Sequence, residues 1–174
     1  MLDLRGFIRE VPDFPKPGIV FKDITPLLAD PAALALSVEL LANPFRNAGI
    51  EVVVGAESRG FIFGTALAQA LSCGFVPVRK PGKLPAKKIS MTYDLEYGQD
   101  TLEIHADALG RFKRCLIVDD LLATGGTMRA CCDLVEKLGG TVSGIAVLIE
   151  LMFLKGRTRF TPVSVHSVIR YEAQ

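Results

Sequence analysis

The chain has 174 residues, 49% of them hydrophobic, which is enough for one ordinary globular domain with a sizeable core and leaves no composition-based case for disorder. Twenty basic residues against nineteen acidic ones give a formal charge of +1, which argues against a broad nucleic-acid or membrane footprint while leaving room for a local anion pocket. No apolar run is long enough to span a bilayer, and Asp3, Arg5, Arg9 and Glu10 interrupt any leader-like segment, so a cytoplasmic address is expected.

In chain order, residues 2–11 predict a short amphipathic helix with Leu4, Phe7, Ile8 and Val11 on one stripe, ended by Pro12. Residues 11–25, VPDFPKPGIVFKDIT, are punctuated by prolines and a glycine and predict an extended segment with fixed turns rather than a regular element. Asp30 as N-cap and Pro31 in the first turn open a helix whose buried face is expected at Leu34, Val38, Leu41 and Phe45. Residues 51–55 (EVVVG) read as a central strand, followed by the loop Ala56 to Gly60 and a helix through Leu71. The Arg in that loop suits an anion held by a guanidinium fork.

Gly74 to Arg79 predicts a third strand in which Pro77 restricts pairing. The lysine-rich stretch that follows predicts a long mobile excursion over about residues 80–104. Within it a two-stranded ribbon is expected, Lys88 to Asp94 against Thr101 to His105, with LEYG at its tip. Next, Cys115 to Val118 read as a buried strand closed by Asp119 and Asp120. Ala123, Thr124, Gly125, Gly126 and Thr127 form a small-residue turn, and Met128, Cys131, Val135 and Leu138 carry a helical period stopped by Gly139 and Gly140. Thr141 to Leu148 predicts another strand, a less regular tail begins at Glu150, and Pro162 to Ile169 predicts a last strand beside the N-terminal wall. Cys73, Cys115, Cys131 and Cys132 show no metal-ligand spacing, and His105 and His166 stand alone among β-patterned residues, as ordinary structural positions do.

The strand, loop and helix around VDDLLATGGT aim loop N–H groups and a helix N-terminus at one point, where a phosphate is favoured. Carboxylates beside a phosphate would repel it, unless Asp119 and Asp120 accept hydrogen bonds from sugar hydroxyls near a divalent metal; the ligand is then a ribose phosphate. The loop is neither a Walker A sequence nor GxGxxG. Taken alone, the same residues also suit simple helix capping.

VDDLLATGGT resembles the phosphoribosyl pyrophosphate motif of the type I phosphoribosyltransferases. ESRGF is similar to their pyrophosphate loop, and the Val11 to Thr25 run is similar to the base-binding segment of the adenine phosphoribosyltransferases. The resemblance implies an α/β fold with a central parallel sheet and helices on both faces. It also implies a small hood from the N- and C-terminal segments and a long flexible lid loop, in a single domain, 1–174, with residues 1–30 as the base-binding wall. It implies purine salvage: transfer of the 5-phosphoribosyl group from phosphoribosyl pyrophosphate to adenine, giving AMP and pyrophosphate.

By the same resemblance, Glu96 and Tyr97 of LEYG are the catalytic lid residues, although Glu-Tyr-Gly alone reads as a hairpin turn. Asp119, Asp120, Ala123, Thr124, Gly125, Gly126 and Thr127 bind the ribose and its phosphate. Glu57, Ser58, Arg59, Arg79 and Lys83 face pyrophosphate, with Lys80 beside them, while Val20, Phe21 and Lys22 face adenine; Lys22 stands where many relatives carry Arg. The implied cofactor is Mg2+, held mainly through the substrate rather than by protein ligands, and the implied assembly is a homodimer. The rivals are a phosphoribosyltransferase for another purine, a non-catalytic phosphoribosyl pyrophosphate sensor, and an unrelated doubly wound protein.

Overall fold

The computed structural model describes residues 2–94 and 98–173. Residues Leu4–Phe7 make one turn of 3-10 helix, capped by Asp3, which accepts from the Arg5 N–H at 3.0 Å. The predicted helix over 2–11 does not form. Its apolar stripe is real, since Leu4 and Ile8 are buried, but the chain turns extended after Phe7 into β1 (Arg9–Pro12). That strand pairs antiparallel with β2 (Val20–Asp23), so the segment expected to lack regular structure holds a hairpin. A one-turn helix leaves most of its backbone groups unpaired, and the β2 partner outcompetes it. The turn chemistry read from the sequence does lie between the strands: Asp13 at φ 57° and Gly18 at φ 85°, with the Asp13 carboxylate accepting from Gly18 N–H at 2.7 Å.

Asp23 then accepts from both the N–H and the hydroxyl of Thr25 at 2.9 Å, starting a short helix not expected from the sequence, α1 (Thr25–Ala29). Asp30 caps α2 (Pro31–Ala42) through the Ala33 N–H at 2.8 Å, as predicted. Its buried line is Ala33, Ser37 and Leu41 rather than Leu34 and Val38, which are only half-buried. Small residues face the core there, and Ser37 satisfies its hydroxyl on the Leu34 carbonyl at 2.7 Å.

The remaining elements are β3 (Val52–Ala56), α3 (Gly60–Ala70), β4 (Gly74–Val78), the ribbon strands β5 (Lys88–Asp94) and β6 (Gln99–His105), β7 (Arg114–Leu122), α4 (Gly126–Lys137), β8 (Thr141–Leu151) and β9 (Val165–Tyr171). Five of these strands form a parallel sheet in the order β4-β3-β7-β8-β9. Pro77 is tolerated because β4 is an edge strand. Successive side chains point to opposite faces: Val54, Ile117 and Val147 pack under α4 and the ribbon, while Val53, Leu116 and Leu148 pack with α2 and α3. Both faces are therefore covered, which is what a parallel sheet requires.

Several boundaries differ from expectation, and Glu150 lies not in an irregular tail but in β8, which continues past Leu148 to Leu151. β7 does not end at the acids but continues to Leu122, because β8 runs on to Leu151 and supplies pairing partners, Ile149 for Leu121 and Glu150 for Leu122. The last strand starts at Val165, after 3-10 turns at Met152–Leu154 and Gly156–Phe160. The ribbon pairs as predicted, Lys88 opposite His105, and is joined to β4 by a bridge between Arg79 and Glu103. Strand order reverses between β3 and β7, and the loops after these strands open side by side there, the position at which open α/β sheets bind ligands.

Candidate active site

The loop after β7 and the start of α4 form the first part of the site. Gly125, the α4 N-cap, sits at φ 86°, a left-handed conformation that glycine adopts without strain. Gly125 brings no side chain to cap the helix, so among the described residues its first N–H groups lack an N-cap bond and suit an anion. The loop is fixed from behind by Gly156. A Cβ there would lie 2.2 Å from the Ala123 carbonyl oxygen, and a Cβ on Gly125 would lie 3.0 Å from the Gly156 carbonyl oxygen. Two backbones touch, and only glycine fits at Gly156. The result is a polar cavity of about 200 Å³ lined by Arg59 and the continuous run Asp119 to Met128.

The two acids are held unequally. Asp120 is 3% exposed, and Asp119 is half-buried with Oδ1 accepting from the Asp120 N–H at 2.8 Å. Arg59 Nε lies 2.9 Å from Asp120 Oδ2, an ion pair whose angle leaves Oδ2 without a hydrogen bond among the described residues. Burial pushes the Asp119 carboxyl well above the usual carboxylate range, and repulsion from Asp120 pushes it further. Burial raises Asp120 too, but the Arg59 guanidinium pulls it back. Such a pair, rich in lone pairs and poor in internal donors, accepts hydrogen bonds from neighbouring hydroxyl groups.

A neighbouring cavity of about 410 Å³ extends from the acids to Glu57, Ser58, Lys80 and the ribbon residues Tyr93 and Asp100. The Glu57–Ser58 peptide is cis. Glu57 accepts from the Lys80 N–H and lies 3.5 Å from Arg79 Nε. Arg79 is thereby turned toward Glu57 and the Phe61 ring, 5.7 Å from its centroid, and lines neither cavity; Lys83 is exposed and lines neither as well.

The third part is an apolar cavity of about 390 Å³ between the β1–β2 hairpin and the ends of β7 and β8. Val20, Phe21 and Lys22 line one wall, and Leu121, Leu151 and Phe153 line the other. Phe21 is buttressed edge-on by Phe14 at 5.2 Å, and the Arg59 guanidinium lies 5.2 Å from the Phe21 ring centroid. Lys22 is 3% exposed. Its ammonium is spent on Glu10 at 2.6 Å and on the Tyr171 ring at 4.3 Å, so it ties the hairpin to the C-terminal strand.

Arg59 lines all of these cavities. The structure thus brings Arg59, Glu57 and Ser58 together with Asp119, Asp120, Ala123, Thr124, Gly125, Gly126 and Thr127, and sets Val20, Phe21 and Lys22 alongside. Glu96 and Tyr97 lie outside the described residues. Sequence reasoning missed Tyr93 and Asp100, which are register partners across the ribbon, so alternation along β5 and β6 was the signal. It also missed Leu151 and Phe153, whose only signal was an apolar run continuing past Glu150.

Residues 23–173 match the family model described as the phosphoribosyl transferase domain. An adenine phosphoribosyltransferase of Rhodopirellula baltica is 56% identical over 98% of this chain and 82% of its own length. The solved adenine phosphoribosyltransferase of Thermoanaerobacter pseudethanolicus superposes with a TM-score of 0.93 at 52% identity, covering 97% of this chain and 98% of that one. That of Saccharomyces cerevisiae, solved with an imino-altritol bisphosphate and adenine, superposes at 0.89 with 40% identity, covering 95% and 96%. With its parallel sheet, its acid pair at the strand-order reversal and relatives of this similarity along nearly its whole length, the chain belongs to the adenine phosphoribosyltransferase family.

Proposed function

We propose that the chain is an enzyme of purine salvage that transfers the 5-phosphoribosyl group from phosphoribosyl pyrophosphate to adenine, giving AMP and pyrophosphate. The observation that carries this reading is the meeting, at Arg59 and the acid pair, of a glycine-rich loop at a helix N-terminus, a charged cavity that holds Arg59 and Lys80 among carboxylates, and an apolar cavity. In the reaction the bond from the anomeric carbon to pyrophosphate oxygen breaks, a bond from that carbon to adenine N9 forms, and the N9 proton leaves.

In this reading the Thr124 to Thr127 loop holds the 5′-phosphate, so that binding energy far from the reacting carbon fixes its position. Asp119 and Asp120 accept from the ribose hydroxyls and favour the positive charge that develops on the sugar. Arg59 and Lys80 face the departing pyrophosphate, joined by Glu57 and Ser58. Arg79 and Lys83 join them only if their side chains move. Phe21 and Leu121 hold the base between apolar walls, with the Val20 backbone at its edge, and Lys22 acts by fixing that wall. Residues 1–30 serve as hood and residues 80–104 as catalytic loop of one domain, with Glu96 handling the purine proton beside Tyr97.

A divalent cation fits this arrangement. Among the described residues no group of three or more His, Cys, Asp and Glu side chains could hold a metal alone, yet Asp120 keeps a buried oxygen without a hydrogen bond. Mg2+ is commonly held by one or two carboxylates together with substrate oxygens. Asp119 and Asp120 would lie beside such an ion, which would be held mainly by substrate oxygens and would supply neutralisation of the leaving charge. We further propose a homodimer, which light scattering at micromolar concentration checks, and a cytoplasmic address, supported by four free cysteines.

The test is AMP formation from phosphoribosyl pyrophosphate with adenine, hypoxanthine and guanine in parallel. A strong preference for adenine is expected. Preference for another base would overturn the wall assignment, and binding without turnover would indicate a sensor.

A further inference from the structure

The ribbon does more than pass near the site, because its polar side chains occupy the donors that the substrate's anionic ends would use. Tyr93 and Asp100 are directly opposite in the β5–β6 register. The Tyr93 hydroxyl lies 3.2 Å from Asp100 Oδ2 and 3.2 Å from the Thr127 hydroxyl, and its ring covers Gly126, where an added Cβ would be 3.3 Å away. Asp100 Oδ2 also accepts from the Lys80 ammonium, and its Oδ1 accepts from the Thr101 N–H at 2.8 Å. An unbroken chain of polar contacts therefore runs from Lys80, through the ribbon, to the first turn of α4.

Counting protons fixes the direction of each bond. Burial alone would raise the Asp100 carboxyl, but the bonds from Lys80 and Thr101 hold it below the usual range, so it is ionised and only accepts. Tyr93 has one proton, and its hydroxyl donates it in the hydrogen bond to Asp100. The Tyr93 oxygen is then the acceptor from Thr127, so the Thr127 proton points at the ribbon and away from the phosphate loop.

We propose that Tyr93 is a latch that competes with phosphoribosyl pyrophosphate: with Asp100 it holds the Thr127 proton and the Lys80 ammonium, so the 5′-phosphate and the pyrophosphate must each displace a ribbon contact to gain its donor. This rests on the functional reading given above and adds that the substrate itself unlatches the ribbon, one contact at each end. Removing the Tyr93 hydroxyl frees the donor for the 5′-phosphate alone, whereas neutralising Asp100 frees Lys80.

Calorimetric titration of ribose 5-phosphate and of pyrophosphate, separately and with Mg2+, tests this in the full chain. Tyr93→Phe should bind ribose 5-phosphate about 2- to 10-fold more tightly, the equivalent of one ordinary hydrogen bond, and bind pyrophosphate as before. Asp100→Asn should bind pyrophosphate roughly two- to fivefold more tightly. A merely structural role would weaken both ligands together in either variant. Unchanged or weaker ribose 5-phosphate binding by Tyr93→Phe overturns the inference; should that variant not fold, unchanged or weaker pyrophosphate binding by Asp100→Asn does so. If the unaltered protein binds neither ligand, the functional reading falls and this inference with it.

Discussion

Asp119→Asn should make the protein more stable and less active, and the two effects have separate causes. Folding raises the Asp119 carboxyl from its ordinary value of 3.8, because burial and the adjacent Asp120 both oppose its ionisation. The native state therefore holds that proton more tightly than the unfolded chain. Stability attributable to this group falls as pH rises from 3.8 through the folded value, and stays lowered above it. Each unit of upward shift is worth about 1.4 kcal/mol against the fold at higher pH. Asparagine keeps an oxygen for the Asp120 N–H and removes the second charge. A gain of about 1 kcal/mol at pH 8 is expected, which is about 2–4 °C in Tm for a chain of this size, shrinking toward zero as pH approaches 4. Loss of a charged acceptor for a ribose hydroxyl should cost about 1.5–3 kcal/mol, or roughly 10- to 150-fold in kcat/KM for phosphoribosyl pyrophosphate. Thermal unfolding from pH 5 to 8 and steady-state kinetics read both. A variant less stable than the parent at pH 8, or one with unchanged kcat/KM, would refute the reasoning.

Gly156→Ala should force apart two touching backbones, lowering stability by about 1–3 kcal/mol and raising KM for phosphoribosyl pyrophosphate more than KM for adenine, since the Ala123 carbonyl lies 2.2 Å from the added carbon. Lys22→Met should raise KM for adenine by roughly 3- to 10-fold, about 1 kcal/mol of lost wall positioning, and leave the sugar-phosphate KM alone; Lys22→Arg should recover most of it. Its effect on Tm should be small, because Glu10, 56% exposed, returns to water. Glu96→Gln should leave substrate binding nearly intact while lowering turnover by ~100-fold or more, and unchanged turnover would remove Glu96 from proton transfer. A thiol reagent at pH 8 should modify Cys73 first, since Cys115, Cys131 and Cys132 are buried and burial pushes the Cys132 thiol up to about 12; mass spectrometry of the labelled peptides decides this.

The parts of the fold legible in the sequence are those where local signals and tertiary demands agree. Val52 to Ala56 are apolar because β3 is covered on both faces, and Asp30-Pro31 caps a helix by local chemistry alone. The parts misread are those decided by a distant partner. Residues 9–12 are extended because Val20–Asp23 pairs with them, and Leu121 and Leu122 remain in β7 because β8 is long. In the site, the glycine-rich loop and acid pair stand out as one local run of residues, whereas the resemblance places Arg79 against pyrophosphate and the structure draws it to Glu57. The resemblance places Lys22 at the base, yet its ammonium meets Glu10 and Tyr171, contacts that span more of the chain than any spacing rule can see.

The central claim is tested most directly by following adenine, phosphoribosyl pyrophosphate and Mg2+ with the purified protein by phosphorus NMR. The account predicts AMP and pyrophosphate appearing together in equal amounts, at a rate that falls sharply with Asp119→Asn. Pyrophosphate released without AMP, or no turnover while the sugar phosphate binds, would contradict it.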